Sequence, residues 1–136
     1  MSTAHGSLLR PVLTDQVSTP GAQYTQALAL PLPGVGQLIF VSGQGPTDAA
    51  GNVVGVDDPE AQVRQVFANI QALLAAAGGG LEHIAEMTLY LRDINHRPLV
   101  TKVRAEVLKQ PYPTATMVEI SDFAAPDWLV EISALA

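Results

Sequence analysis

The chain has 136 residues, enough for one domain with a real core and too few for two ordinary ones. Apolar residues make up 48% and charged residues only 15%, which excludes a disordered chain and points to more than one buried surface. A net charge of −6 leaves no basic stripe for nucleic acid, and the lack of cysteine excludes disulfides, thiolate metal sites and cysteine nucleophiles.

Residues 1–20 mix Ser, Thr, Pro and Gly and are expected to form an irregular arm, with a short strand near 11–14. Residues 23–30 (QYTQALAL) predict a strand, ended by the breakers in Pro31-Leu32-Pro33-Gly34. Residues 37–42 (QLIFVS) form a compact β-rich run that Gly43-Gln44-Gly45-Pro46 stops. Asp58, Pro59 and Glu60 then announce a helix, as an N-cap, a first-turn proline and a dipole-matched acid. Val63, Val66, Phe67, Ile70, Leu74 and Ala77 follow as one apolar stripe, and Gly78-Gly79-Gly80 closes the helix.

Leu81-Glu82-His83-Ile84 is a short turn. Residues 86–92 (EMTLYLR) alternate as a strand does, and residues 97–109 predict a second helix with Leu99, Val100, Val103 and Val107 inward. Its basic residues read as a solvated helix face. Residues 114–120 alternate again, with Ala115, Met117 and Glu119 on one face, expected to point into a cleft. Residues 129–135 (LVEISAL) are the last strand. The order implies a single α+β domain over 1–136, with two helices packed on one face of a sheet. The strands are apolar on both faces, so the second face is expected to be buried against other copies of the chain.

The ordered set of Gln23-Tyr24, residues 40–46 (FVSGQGP), 61–65 (AQVRQ), Asn69-Ile70, 88–95 (TLYLRDIN), Tyr112-Pro113-Thr114 and 130–134 (VEISA) resembles the RidA (YjgF) family of reactive imine/enamine deaminases. That resemblance implies a chorismate-mutase-like fold (bacillus type). It also implies a homotrimer with a central barrel and three small-molecule clefts between subunits. In active members the cleft holds a tyrosine, a serine, an asparagine on the second helix, a carboxylate-binding arginine and a water-placing glutamate. By motif, Tyr24 matches the tyrosine, Ser42 the serine and Glu131 the glutamate. Thr101 stands at the asparagine position, Ala115 at the arginine position, and Met117 where a cysteine is usual. The resemblance therefore implies a divergent deaminase-type hydrolase whose substrate is not anchored by the usual arginine, with Glu131 catalytic. The alternative is a trimer that binds a small metabolite without turning it over.

Glu119, on the face of Ala115 and Met117, reads as a structural hydrogen-bond acceptor, the alternative being a second acid in the cleft. His5, His83 and His96 are dispersed and lack metal spacing, so neither a metal nor a cofactor is expected. RNA cleavage, an activity attached to some such families, fits poorly with the acidic balance, and no nucleic-acid partner is expected. No stretch approaches the roughly 20 apolar residues that span a bilayer, and residues 1–22 hold no apolar run of signal-peptide length. A soluble, cytoplasmic protein without a membrane partner is expected.

Overall fold

Among the described residues, six strands and two long helices follow one another: β1 (Arg10–Pro11), β2 (Ala27–Leu32), β3 (Gly36–Gln44), α1 (Pro59–Ala76), β4 (Glu86–Leu91), α2 (Arg97–Val107), β5 (Thr114–Glu119) and β6 (Val130–Leu135). The structure is a computed structural model that describes residues 8–136. The strands form one mixed sheet in the order β1-β2-β3-β6-β4-β5. Only β4 and β5 pair in parallel, and α2 supplies the crossover that parallel neighbours require. β6 slots antiparallel between β3 and β4, so the last strand to be made holds the sheet together.

α1 begins where the sequence predicts it. Asp58 accepts from Ala61 N at 3.1 Å, and Pro59 opens the first turn. At the other end Gly79 N donates back to Leu74 O at 2.8 Å. Val63, Val66, Phe67, Ile70, Leu73 and Leu74 are buried against the sheet. From the strands come Ala27, Ala29, Ile39, Val41, Met87, Leu89, Leu91, Val130 and Ile132, all buried on the same side. Each large side chain in this layer contributes about 1.5–3 kcal/mol relative to exposure.

Among the described residues no helix lies over the opposite face of the sheet. Register puts Leu28 beside Phe40, Leu30 beside Leu38, and Phe40 beside Leu135 on that side. Phe40 is 42% exposed there. The two-sided apolar pattern read from the strands thus corresponds to one covered and one uncovered face.

Several expected boundaries move. β3, expected over 37–42 and stopped by Gly43-Gln44, runs through both to Gln44 because the bulge keeps it paired with β6, and the strands expected over 86–92, 114–120 and 129–135 each lose one terminal residue. The strand predicted over 23–30 is Ala27–Leu32, with Pro31 inside it. Val12 N donates to Ala27 O, so Ala27 faces β1, and by the strand period Pro31 faces the same way, past the end of β1. A missing N–H costs no ladder bond on that outer side. The short strand of the arm is Arg10–Pro11 in place of 11–14, and α2 stops at Val107 in place of residue 109. The rest of residues 8–20 is irregular; residues 1–7, including His5, lie outside the described residues.

Candidate functional site

Between Val41 and Gln44, β3 advances by three residues while its partner β6 advances only from Ala134 to Ile132. The extra residue is a bulge holding Ser42 and Gly43, a device that re-aims side chains at the cost of ladder bonds. The reason for glycine is steric. A Cβ on Gly43 would lie 2.2 Å from Glu131 Oε2 and 2.8 Å from its Cδ. The Glu131 carboxylate therefore rests directly on the β3 backbone. Gly45, just beyond, is covered by the Trp128 ring, and a Cβ there would meet the ring at 2.3 Å.

Glu131 is half-buried on the uncovered face, with Tyr90 directly across from it on β4. Among the described residues its carboxylate has neither a hydrogen-bond nor an ion-pair partner. Burial alone raises its pKa above the ordinary 4.5. Desolvation disfavours the charged form, and no donor compensates it. A cleft of about 260 Å³ lies on this side, lined in part by Phe40, Thr88, Ser133 and Leu135.

Ser42 Oγ donates to Thr25 O at 2.5 Å, which leaves the hydroxyl oxygen free to accept. Tyr24, next to Thr25, lies before β2 and not within it, and is 50% exposed. It lines a larger cleft of about 690 Å³ between residues 11–20 of the arm and Thr25, Gln26 and Leu73. Tyr24 and Ser42 are thus linked through Thr25, and Ser42 and Glu131 through Gly43.

Three buried amides hold this region. Gln44 Nε2 donates to Gln26 Oε1 at 2.7 Å and to Ser42 O at 3.1 Å. Asn69 Nδ2 donates to Gly45 O at 3.1 Å and Thr47 O at 2.9 Å. Gln62 Nε2 donates to Gly55 O and Asp127 O, and its Oε1 accepts from Leu129 N. These residues belong to the motifs that carry the resemblance, but the sequence assigned them no role. A Gln flanked by two glycines was the available signal.

The β5 residues stand elsewhere. Ala115 pairs with Met87, Met117 with Leu89 and Glu119 with Leu91, so all three lie on the helix side of the sheet, opposite Glu131. Ala115 and Met117 do line a cleft, of about 380 Å³, with Ile94, Arg97 and Arg104. Glu119 Oε1 accepts from Ile94 N at 2.9 Å, the structural role expected of it. Thr101 is exposed on α2 between Arg97 and Arg104. One chain therefore places Ser42 and Glu131 at the bulge, Tyr24 in the cleft beneath the arm, and Thr101, Ala115 and Met117 around the α2–β5 edge. It does not join the last three to the others.

Gly43→Ala should keep the fold, because the clash is with the mobile end of a side chain. The expected cost is about 1–3 kcal/mol. The displaced carboxyl should titrate closer to the ordinary value, which carbon-13 NMR of the Glu131 carboxyl would register. An unchanged titration would mean that Gly43 does not set the position of Glu131.

Among the described residues no group of three or more His, Asp or Glu side chains is placed to hold a metal ion. Among them, too, no helix is long and apolar enough to cross a membrane.

The family described as Endoribonuclease L-PSP matches residues 15–136. A RutC family protein of Pyrococcus horikoshii is 34% identical over 125 residues, covering 92% of this chain and 94% of the relative. A 3-aminoacrylate deaminase RutC of Acinetobacter baylyi is 31% identical over 125 residues, with the same 92% and 94% covered. Among solved structures, a Rid family protein of unknown function from Yersinia pestis superposes with a TM-score of 0.84 at 30% identity, covering 94% of this chain and 98% of that one. The α+β architecture, with its mixed sheet and two helices, is the one those proteins share. The chain belongs to the endoribonuclease L-PSP family, the group of RidA-type proteins that its motifs resemble.

Proposed function

We propose that the protein is a deaminase-type hydrolase of reactive imines or enamines, with Glu131 as its acid/base group. The observation that carries this reading is the Glu131 carboxylate: half-buried, without an internal partner, and with its pKa raised by burial beside an uncovered face. Such a group is held nearer the working pH than an ordinary carboxylate, as proton transfer requires. The similarity to a 3-aminoacrylate deaminase supports the reaction class.

In the proposed reaction the enamine takes a proton from solvent at carbon to give the iminium. Ionised Glu131 takes a proton from water as the oxygen attacks the iminium carbon, which gives a neutral carbinolamine. Glu131 returns that proton to the nitrogen, the C–N bond breaks to release ammonia, and the hydroxyl proton passes to solvent as the carbonyl forms. Tyr90 lies across from Glu131 and Ser42 precedes the glycine on which its carboxylate rests, and in this reading Ser42 Oγ accepts from the attacking water or the substrate nitrogen. Ala115 offers no charge, so the substrate is not held by an arginine at that position, and the protein is in this sense a divergent member of its family.

The active unit in this reading is a homotrimer with sites between subunits. Leu28, Leu30, Leu38, Phe40 and Leu135 on the uncovered face supply the apolar surface that such an assembly would bury. It would also bring Tyr24, Ser42 and Glu131 of one copy near Thr101, Ala115 and Met117 of another. Sedimentation equilibrium should give the mass of three 14.3 kDa chains; a monomer at micromolar concentration would overturn the assembly.

The activity is tested by generating 2-aminoacrylate, and separately an imine lacking a carboxylate, in situ. Semicarbazone formation reports the surviving imine and a coupled assay the released ammonia. Turnover above background supports the hydrolase. No turnover, together with saturable binding of a metabolite at the same site, would favour a binding protein that does no chemistry.

A further inference from the structure

Residues 120–129 join β5 to β6 and carry their own turn chemistry. Asp122 Oδ1 accepts from Phe123 N at 2.8 Å, and Pro126 opens a turn in which Trp128 N donates to Ala125 O at 3.3 Å. The segment is gathered on one side chain, Arg92, just past the end of β4. Arg92 N continues the ladder between β4 and β6 by donating to Leu129 O at 3.1 Å. Its guanidinium takes the loop itself. Nη1 donates to Pro126 O at 2.7 Å, and Nη2 to Asp122 Oδ1 at 2.6 Å and Ala125 O at 3.4 Å. Cζ lies 5.9 Å from the centroid of the Phe123 ring, within cation–π range. The Phe123 and Trp128 rings follow at 6.3 Å, tilted by 53°.

Trp128 carries this grip to Glu131. Its ring covers Gly45, and Gly45 O accepts from Asn69 Nδ2 of α1 at 3.1 Å. Gly45 lies just past Gly43, on which the carboxylate rests, and Trp128 lies just before Glu131 in the chain. The ring therefore bridges the β3 bulge and the entry to β6. Stability alone does not account for Arg92. Asp122 is 69% exposed, and so open an ion pair contributes little. Nε is buried without a partner among the described residues, which is unfavourable. What the planar guanidinium supplies is geometry, because its fork spans acceptors along the turn at once.

We propose that Arg92 is a positioning residue for Glu131. It fixes residues 122–128, the fixed loop holds Trp128 against Gly45, and the carboxylate is thereby kept on the Gly43 backbone. The inference rests on the hydrolase reading for its bearing on turnover. The placement of the carboxyl is measured without turnover, so the failure of one is distinguished from the failure of the other.

Trp128 is the sole tryptophan of the chain, so its fluorescence reports on the loop. Acrylamide quenching of Trp128 and carbon-13 NMR titration of the Glu131 carboxyl are measured in the full-length protein and in Arg92→Gln, Arg92→Lys and Arg64→Gln. Trp128 should be quenched more readily in Arg92→Gln than in the parent. Its Glu131 carboxyl should titrate closer to 4.5, because a loosened loop admits water. Imine turnover should lose about 10–100-fold in kcat with KM near the parental value, as misplacement of a reacting group does. Lysine keeps the charge without the fork and should restore only part of each reading. Arg64→Gln breaks the exposed pairs with Glu60 and Glu106 and should move neither the quenching nor the titration. Circular dichroism verifies folding, and Arg92→Lys carries the test where glutamine unfolds the chain. Parental quenching and titration in the folded Arg92 variants, whatever their stability, overturn the proposal. Moved readings where the parent turns over no imine leave the positioning standing and remove the hydrolase reading; parental turnover with unmoved readings does the reverse.

Discussion

Glu131→Gln should abolish imine turnover while leaving the protein no less stable at neutral pH than its parent. Removing an acid/base group costs about 10²–10⁴-fold in rate. The stability effect follows from the direction of the pKa shift. Burial raises the folded-state pKa of Glu131 above 4.5, so the folded protein holds this proton more tightly than the unfolded chain does. Stability then falls as pH rises from 4.5 through the folded value, and above that value the whole penalty for burying the charge is present. Glutamine removes the penalty. The gain should be visible in urea unfolding at pH 7 and should vanish below pH 4.5. Turnover by the parent should decline as pH falls through the raised pKa, because water attack needs the ionised form. Parental activity in the variant, or a clear loss of stability at pH 7, would falsify the assignment of Glu131 as an uncompensated catalytic carboxylate.

Gln62→Leu should be the most damaging single change to stability. Gln62 is fully buried, and its amide satisfies three backbone groups. It donates to Gly55 O at 3.0 Å and Asp127 O at 2.9 Å, and accepts from Leu129 N at 2.8 Å. Leucine matches the shape and satisfies none of them. An unpaired buried polar group costs about 1–3 kcal/mol, so the loss should reach about 3–6 kcal/mol. That is a large part of the roughly 5–15 kcal/mol available to a domain. The loosened segments are the loop before α1 and the entry to β6, which flank the Gly43 bulge and Glu131. Turnover should fall as well, even where the variant is folded. Denaturant unfolding decides the matter, and a loss below about 1 kcal/mol would mean that water replaces the amide.

The site was legible in part, and the division has a physical cause. Glu131 stood out as a carboxylate in an apolar strand, and burial with a raised pKa agrees with that reading. Gly43 did not stand out as its seat, because the contact joins two strands far apart in the sequence. The basic residues of α2 read as one solvated face. Lys102 joins the exposed ion pairs with Glu60, a contact worth little. Arg97 and Arg104, from the same helix, turn to the β5 cleft. Periodicity places them together on α2 but says nothing of what that face meets.

The amino-acid sequence by itself determined what depends on neighbours a few positions away. Asp58 and Pro59 start α1, the apolar stripe from Val63 orients it, and Gly78-Gly79-Gly80 ends it. Alternation in Glu86–Leu91 and Thr114–Glu119 makes each a strand with two distinct faces. Which face of a strand meets which partner was decided only in three dimensions. The parallel register of β5 on β4 turns Ala115 and Met117 toward α2 and away from Glu131. The β3 bulge brings Gly43 under the carboxylate. A period of two separates the faces of a strand but does not name them, because their environments are built by strands and helices that close the sheet from elsewhere in the chain.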